Sequence, residues 1–295
     1  MATTTALIVK RYNSTSSFLQ ETEPFLRRNE FQNIFVLIMA QQEASGTDGG
    51  YCSAVWDGQG QLVFALFDAK DNTMLYGSWT QNMEAVDLLV NDLIASGAHS
   101  DIKFAHAFQP GLNRLYEQLH KHNLHFRITD QVWACASQRV IWSPRLLSIA
   151  RHPNTHLKVA TLDQLDLLAE WTQGFFVHLT TENGMDDTAL PDPEQIVREA
   201  LADEYVHILY VNGAPVSMSW MKRPTETECS IAMVFTPKER RSNGYGAVCV
   251  GLLTEKLLES RRSVNLFAVR ERDPVKNMYA GIGYRVVGES GRLRR

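Results

Sequence analysis

Paired cysteines are the first thing this sequence lacks. Its four cysteines, Cys52, Cys135, Cys229 and Cys249, lie far apart with no Cys-x-x-Cys spacing. That leaves neither a zinc arrangement nor a disulfide framework, and it points to a reducing compartment. Long apolar runs are missing too. The longest, "IFVLIMA" from Ile34, has seven residues, against the roughly 20 that a membrane-spanning helix needs. No secretory signal is visible. Lys10 and Arg11 among serines and threonines suit a transit peptide, but "ALIVKRY" reads equally well as a first strand, and the expected location is the cytoplasm. A basic excess is absent: the net charge of −4 argues against a nucleic-acid binder. Neither low-complexity segments nor repeats occur at the level of sequence.

What remains is an ordinary globular composition, 44% apolar and 21% charged, in a chain of 295 residues that is long enough for two domains. In the N-terminal half, helix patterns cover about 18–28 and 30–43, and again 82–96 and 111–122. Between them lie short β-rich runs, with "DGQG" as a hairpin loop and "HFRITDQVWACA" as a later strand. The segment "SPRLLSIARHPNTH", with Pro144 and Pro153, reads as a linker. Beyond it come the strand "LKVA", a helix capped by Thr161 or Asp163 and closed near Gly174, and a second helix in "PDPEQIVREALA". Two strands joined by Asn212-Gly213 follow, the strongest short hairpin signal. Domain limits of 1–145 and 155–295 are expected.

The strand "ECSIAMVFTP" runs directly into "KERRSNGYGAVCVGLL". Strand, basic turn, Gly-x-Gly and amphipathic helix together make an anion-binding device. A helix start offers unpaired N–H groups and partial positive charge, and Gly244 and Gly246 let a phosphate approach the backbone. The bland alternative is a solvated turn whose glycines serve geometry alone. The turn lacks the GK[ST] of a P-loop, and it lacks the third glycine and downstream acid of a dinucleotide-binding unit.

The stretch does resemble the acyl-CoA motif of the GCN5-related N-acetyltransferases, Arg/Gln-x-x-Gly-x-Gly/Ala, with Arg241, Gly244 and Gly246 at its three positions. The likeness continues through "VNLFAV" and "NMYAGIGYRVV", so that it covers Leu157 to about Val287. It is similar to a two-lobed branch of these enzymes whose N-terminal lobe is a degenerate acetyltransferase-like unit. The resemblance implies an α/β fold of tandem lobes, each a mixed, mainly antiparallel sheet flanked by helices. It implies transfer of an acetyl group from acetyl-CoA, with no metal, to a small-molecule amine or an exposed amino group of a peptide, and neither a nucleic-acid nor a membrane partner.

Carried over residue by residue, the resemblance sets Val234, Phe235 and Thr236 along the pantetheine arm, with the Val234 N–H polarising the thioester carbonyl. It sets the pyrophosphate on Arg241, Ser242, Asn243, Gly244, Tyr245, Gly246 and Ala247, and it makes Asn277 a cofactor contact. Tyr279 matches the tyrosine that donates a proton to the departing sulfur, a role that suits a phenol at neutral pH; the alternative is an aromatic that packs against "LFAV". Glu228, with Glu226 beside it, is the candidate general base acting through water, or else a solvated strand-end charge. Cys229 is either an acyl relay or a small buried hydrophobe. His178 and His207 read as packing or surface groups, Arg240 as a phosphate contact or a solvated charge, and "GRLRR" as a phosphate-binding tail or, the preferred reading, a solubilising one. The acidic "HLTTENGMDD" suits attraction of an amine.

The likeness departs from the branch pattern at Asp273, which stands where an asparagine is usual, and one residue instead of two separates Asn277 from Tyr279. This keeps open a non-catalytic acyl-CoA-binding sensor or scaffold. An acyltransferase for longer chains, like the glycine N-acyltransferases, is a further alternative.

Overall fold

The computed structural model describes residues 6–44, 50–68, 73–182, 190–270 and 273–295. The chain forms two compact units, Met1–Val132 together with Gly288–Arg295, and Trp133–Val287.

The first unit runs β1 (Ile8–Arg11), α1 (Thr15–Leu26), α2 (Ile34–Glu43), β2 (Cys52–Trp56), β3 (Leu62–Asp68), β4 (Met74–Gly77), α3 (Met83–Ser96), β5 (Phe104–Phe108), α4 (Gly111–Lys121) and the first half of β6 (Arg127–Ser137). Strands β1 to β4 pair antiparallel in sequence order, whereas β4 and β5 pair in parallel. One face of this sheet buries Val86, Leu89, Leu112 and Leu115 of α3 and α4. The other buries Phe18, Leu19, Val36 and Leu37 of α1 and α2. The expected hairpin loop forms at Asp57–Gly60, where Asp57 Oδ1 accepts from the N–H groups of Gln59 and Gln61, both at 2.9 Å. "GRLRR" is not a tail: Ser290–Arg294 pairs with β5, and Leu293 is fully buried, because alternation turns its side chain into the core.

The second unit holds the second half of β6, then α5 (Pro144–Ala150), β7 (Thr155–Val159), α6 (Leu165–Val177), α7 (Pro193–Ala202), β8 (Val206–Val211), β9 (Ala214–Lys222), β10 (Glu228–Phe235), α8 (Tyr245–Leu258), β11 (Ser263–Val269) and the start of β12 (Arg285–Arg294). Strands β7 to β10 pair antiparallel in order, and β10 and β11 pair in parallel. Helices α6 and α7 cover one face, with Leu168, Trp171 and Val197 against Ile208, Met218 and Trp220. Helix α8 covers the other, with Val250 and Leu253 against Cys229, Ile231 and Leu266. The order β-α-α-β-β-β-α-β therefore occurs twice, from β1 to β5 and from β7 to β11. The sequence does not repeat, because a shared order of elements needs only a matching apolar periodicity.

Two sequence expectations change. "SPRLLSIARHPNTH" is not a linker: its first half, Pro144–Ala150, is helix α5, its end enters β7 at Thr155, and the division between units falls at Val132/Trp133. Ser143 caps this helix by accepting from the Leu146 N–H at 3.3 Å, Pro144 occupies its first turn, and Leu146, Ile149 and Ala150 pack with Val248 and Cys249 of α8. The prolines punctuate a packed helix. Helix α6, begun by a capping box at Thr161 and Gln164, passes through Gly174 to Val177 and then opens into a wider π-type turn at His178–Glu182. Gly174 is an interior position. A Cβ there would come within 2.7 Å of the Phe235 ring, so glycine allows that ring to lie against the helix.

His207 on β8 is buried, as expected for a packing group. Its Nε2 accepts from Lys256 Nζ at 3.2 Å, and its Nδ1 contacts the Tyr205 carbonyl at 3.3 Å. Burial first, and then the Lys256 charge, push its pKa down from 6.5 to about 4. Between those values the unfolded chain binds a proton that the folded chain refuses, so stability is lost as pH falls through this window. The loss is on the order of 3 kcal/mol. Urea midpoints at pH 7 and pH 4.5 should show the fall, and His207→Gln should flatten it.

Candidate functional site

The geometry of the second unit turns on a bulge in β10. Pairing with β9 follows Ser230↔Lys222, Ile231↔Met221 and Ala232↔Trp220, then skips to Phe235↔Met218. Met233, inside the bulge, has φ +51°. Before the bulge Cys229 and Ile231 point toward α8; after it Met233 and Phe235 join the α6 side, and Val234 joins the α8 side. One extra residue has exchanged the faces of the strand, as a bulge does. Pairing with β11 has already ended at Ser230↔Asn265. Met233 and Val234 thus lie outside both described ladders, where β10 and β11 have parted.

Below the bulge the strand meets the start of α8. The first intrahelical bond of α8 runs from the Val248 N–H to the Gly244 carbonyl at 3.0 Å, so the amides that precede it have no acceptor within the helix. Gly244 caps the helix at φ +85°, and a Cβ there would lie 2.9 Å from Leu146 Cδ2, so both conformation and space require glycine. A Cβ on Gly246 would lie 3.1 Å from Thr236 Oγ1 and 3.5 Å from Met278 Sδ, which explains the absence of a side chain there. Thr236 Oγ1 is held by Ser217 Oγ at 2.9 Å. Arg241 Nε donates to the Thr236 carbonyl at 3.1 Å, and Arg145 Nη2 donates to the Ser242 carbonyl at 3.1 Å.

These groups line a cleft of 410 Å³ formed by Val234, Phe235, Thr236, Arg240, Arg241, Ser242, Gly244, Tyr245, Gly246 and Ala247, with Arg145, His178 and Met278. Helix-start amides and three arginines give it the character of an anion site. A second cleft, of 160 Å³, occupies the opening between β10 and β11, with Ile231–Val234 and Phe267–Val269 as its strand walls and Phe175, His178, Leu179, Arg223 and Tyr279 around them. Val234 and His178 line both clefts, so the two meet at the bulge.

Nine of the expected contact residues therefore share the larger cleft, and Tyr279 lines the adjoining one. Others do not reach either. Asn243 turns its Nδ2 back to the Arg240 and Arg241 carbonyls, both at 3.1 Å. Asn277 holds the turn that carries Tyr279: its Oδ1 accepts from the Tyr279 and Ala280 N–H groups at 2.9 Å, and its Nδ2 donates to the Asp273 and Pro274 carbonyls. Asp273 carries its own share of this loop, with Oδ1 accepting from the Val275 N–H at 2.9 Å. Glu228 is not a solvated base beside the cleft. It is buried, Arg262 donates to its Oε1 at 2.8 Å, and it lies six residues up β10 from Val234, about 20 Å along the strand. Cys229 is buried in the core, where burial raises its thiol to about 11, the state of an inert hydrophobe and not of an acyl relay. Tyr284 is equally interior, its hydroxyl 2.7 Å from Thr254 Oγ1.

Sequence reasoning missed His178, Arg145, Met278 and Arg223. His178 reaches the clefts through the π-type turn after α6, and Arg145 through a helix mistaken for a linker. The second half of the acidic stretch "HLTTENGMDD", residues 183–187, lies outside the described residues. Among the described residues no three His, Cys, Asp or Glu side chains gather as metal ligands do, and no helix is long and apolar enough to cross a membrane.

No family model matches the chain, and no curated protein sequence matches it. Solved structures do. A GCN5-related N-acetyltransferase from Sphaerobacter thermophilus aligns with TM-score 0.57 over 98% of this chain and 95% of its own, at 11% identity. A GNAT-family acetyltransferase from Colwellia psychrerythraea aligns with TM-score 0.53 over 98% of this chain and 100% of its own, at 12% identity. A fungal multi-domain GH3 β-N-acetylglucosaminidase, described as having a GCN5-related glucosamine N-acetyltransferase region, aligns with TM-score 0.52 at 12% identity; the match covers 99% of this chain and 38% of the fungal one. At such identities the likeness is one of fold. With the parallel strand pair following three antiparallel strands in each unit, it leads to one conclusion: this chain has the fold of the GCN5-related N-acetyltransferases, built as two units.

Proposed function

We propose that the chain is an acyltransferase that moves an acetyl group from acetyl-CoA to a primary amine by direct attack in a ternary complex. The observation that carries this reading is the bulge at Met233, where β10 leaves both ladders with the α8 start at one side and Tyr279 at the other. A pyrophosphate suits the amides of Gly244 to Ala247 and the charges of Arg240, Arg241 and Arg145. The pantetheine arm then follows Val234 to Thr236 by backbone, which leaves the Phe235 ring free to pack against Gly174.

The thioester comes to rest where the two clefts join. The amine nitrogen attacks its carbonyl carbon and forms the new C–N bond, while the Val234 N–H receives the developing oxyanion. The C–S bond breaks, and the Tyr279 hydroxyl gives its proton to the departing thiolate. His178, which lines both clefts, takes the proton that the amine nitrogen loses, directly or through water, and passage of that proton from the imidazolium to the Tyr279 phenolate through solvent restores the site. This imidazole replaces Glu228 as the candidate base.

Calorimetric titration of the full chain with acetyl-CoA tests the reading, followed by a thiol-release screen over amines. Binding of one equivalent with amine-dependent release supports it, and absence of binding refutes it. Glu228→Gln should leave turnover unchanged and lower stability by about 1 kcal/mol, because its partner Arg262 is half exposed and partly rehydrates. Loss of turnover without loss of stability would restore Glu228 as the base.

A further inference from the structure

The first unit has a cleft that the proposed reaction does not use. It measures 600 Å³, within the range of small-molecule sites, about 300–1,000 Å³. Its walls come from the end of α1 with the turn after it, the start of β3, and the Ser78–Asn82 turn that leads into α3. In the order of elements this is the place that the anion cleft holds in the second unit, where the turn after the fourth strand leads into α8. The lining is of another kind. The anion cleft has three arginines and a histidine, whereas no Asp, Glu, Lys, Arg or His lines this one among the described residues.

Part of the polar lining is structural. Ser78 Oγ accepts from the Ala65 N–H at 2.8 Å, Asn33 Oδ1 from the Trp79 N–H at 2.7 Å, Thr80 Oγ1 from the Asn82 N–H at 3.0 Å, and Asn82 Oδ1 from the Ala85 N–H at 3.1 Å. These bonds fix the turn and with it the place of Trp79 at the cleft. Three polar side chains are left over. Trp79 is half-buried, and among the described residues neither its Nε1 nor the side-chain amide of Asn29 or Gln81 has a hydrogen-bond partner. The Phe25 ring in the same lining is already engaged, with Arg28 at 4.4 Å over it and Trp56 edge-on at 5.1 Å. Trp79 has neither a ring nor a cation against it among the described residues, so its indole is the surface left for a ligand.

Such a lining selects by exclusion. With no counter-charge in the walls, a phosphate, a carboxylate or an ammonium would lose hydration without replacement. A purely apolar ligand would take water from two amides and an indole N–H and return no hydrogen bond. A neutral ligand rich in hydroxyls meets both conditions, because each amide offers a donor and an acceptor and a hydroxyl answers both. The electron-rich face of the indole attracts the polarised C–H groups on the face of a sugar ring. A nucleobase also stacks, but it gathers its polar groups along an edge. Here the unpaired groups come from two segments, Asn29 after α1 and Trp79 with Gln81 before α3, which suits hydroxyls set around a ring. We infer that the first unit binds a neutral sugar in this cleft, its ring on the Trp79 indole and its hydroxyls on the amides of Asn29 and Gln81. The inference stands apart from the acyl-transfer reading and uses no residue of that site.

Ligand-observed NMR of the full chain tests it, with a panel of neutral hexoses, N-acetylhexosamines and their disaccharides at millimolar concentration. At least one of them should bind, and whether the monosaccharide or the disaccharide binds tighter tells a free sugar from the end of a glycan. The uronate and the 2-amino form of the bound sugar should bind at least about tenfold more weakly, since each brings a charge to uncharged walls. Trp79→Ala should lower the affinity by about tenfold or more, and Trp79→Phe should keep part of it. Gln81→Ala, at an exposed position, should lower it by about threefold. Urea midpoints show that these variants are folded. Gly246→Trp should leave sugar binding unchanged, which separates this cleft from the anion cleft of the second unit. Failure of the native chain to bind any member of the panel would overturn the inference, and this arm needs no variant to fold. Equal binding of the charged forms, survival of the affinity in a folded Trp79→Ala, or tighter binding of adenosine than of every sugar would overturn it as well.

Discussion

Gly246→Trp should lower acetyl-CoA affinity by about 100-fold or more while the second unit stays folded. A Cβ at this position already lies 3.1 Å from Thr236 Oγ1 and 3.5 Å from Met278 Sδ, so an indole there must fill the cleft in front of the α8 amides. Charge-assisted hydrogen bonds contribute roughly 1.5–3 kcal/mol each, and the loss of two already exceeds about 100-fold in Kd. Gly246→Ala, with one methyl group in the same tight place, should show a smaller loss, near tenfold. Calorimetry gives the affinities, and urea midpoints of the apo variants show whether the fold is kept. Unchanged affinity in a folded Gly246→Trp would remove the turn from the site.

Tyr279→Phe should reduce kcat by about 100-fold or more and leave KM for acetyl-CoA nearly as it was, because a proton given to the leaving sulfur acts only in the transition state. A donor thioester whose thiol is more acidic needs that proton less, so the gap between native chain and variant should narrow with such a donor. Narrowing is the signature that separates an acid from a packing aromatic. The control is Tyr284→Phe. Tyr284 is fully buried, and its hydroxyl lies 2.7 Å from Thr254 Oγ1, so its loss should cost about 1 kcal/mol of stability and leave kcat alone.

The two units share an order of elements but differ at the turn that follows the fourth strand. In the first unit this turn is Ser78-Trp79-Thr80-Gln81-Asn82, with neither a glycine nor a basic residue. Asn82 Oδ1 accepts from the Ala85 N–H at 3.1 Å, so the start of α3 is satisfied by its own side chain. In the second unit glycine takes the cap position and supplies no side chain, which leaves the α8 amides for a ligand. This contrast supports the proposal that the first unit is a degenerate lobe without a donor site of its own.

Local chemistry made much of this legible without coordinates. The hairpin at Asn212-Gly213, the helix start near Thr161, the amphipathic α3 and α4, and the glycine-bearing start of α8 each depend on residues within a few positions of one another. Their backbone preferences and periodicity act whatever the rest of the chain does. The same holds for the turn from Arg241 to Ala247, which is a continuous stretch. What depends on packing across the sheet was decided only by the tertiary structure. A bulge that exchanges the faces of β10 leaves no mark in "ECSIAMVF", because its cause is the register with β9. Gly174 looked like a helix end and is interior, since its neighbour is a ring 61 residues away in sequence. The places of Glu228 and His178 have the same origin: a carboxylate at a strand start is drawn to Arg262 and buried, while a wide turn after α6 carries an imidazole to the bulge. Residue types and spacing determined the anion-binding turn and the order of the elements; where the strands part, and which side chains face that gap, came from long-range pairing that no local pattern encodes.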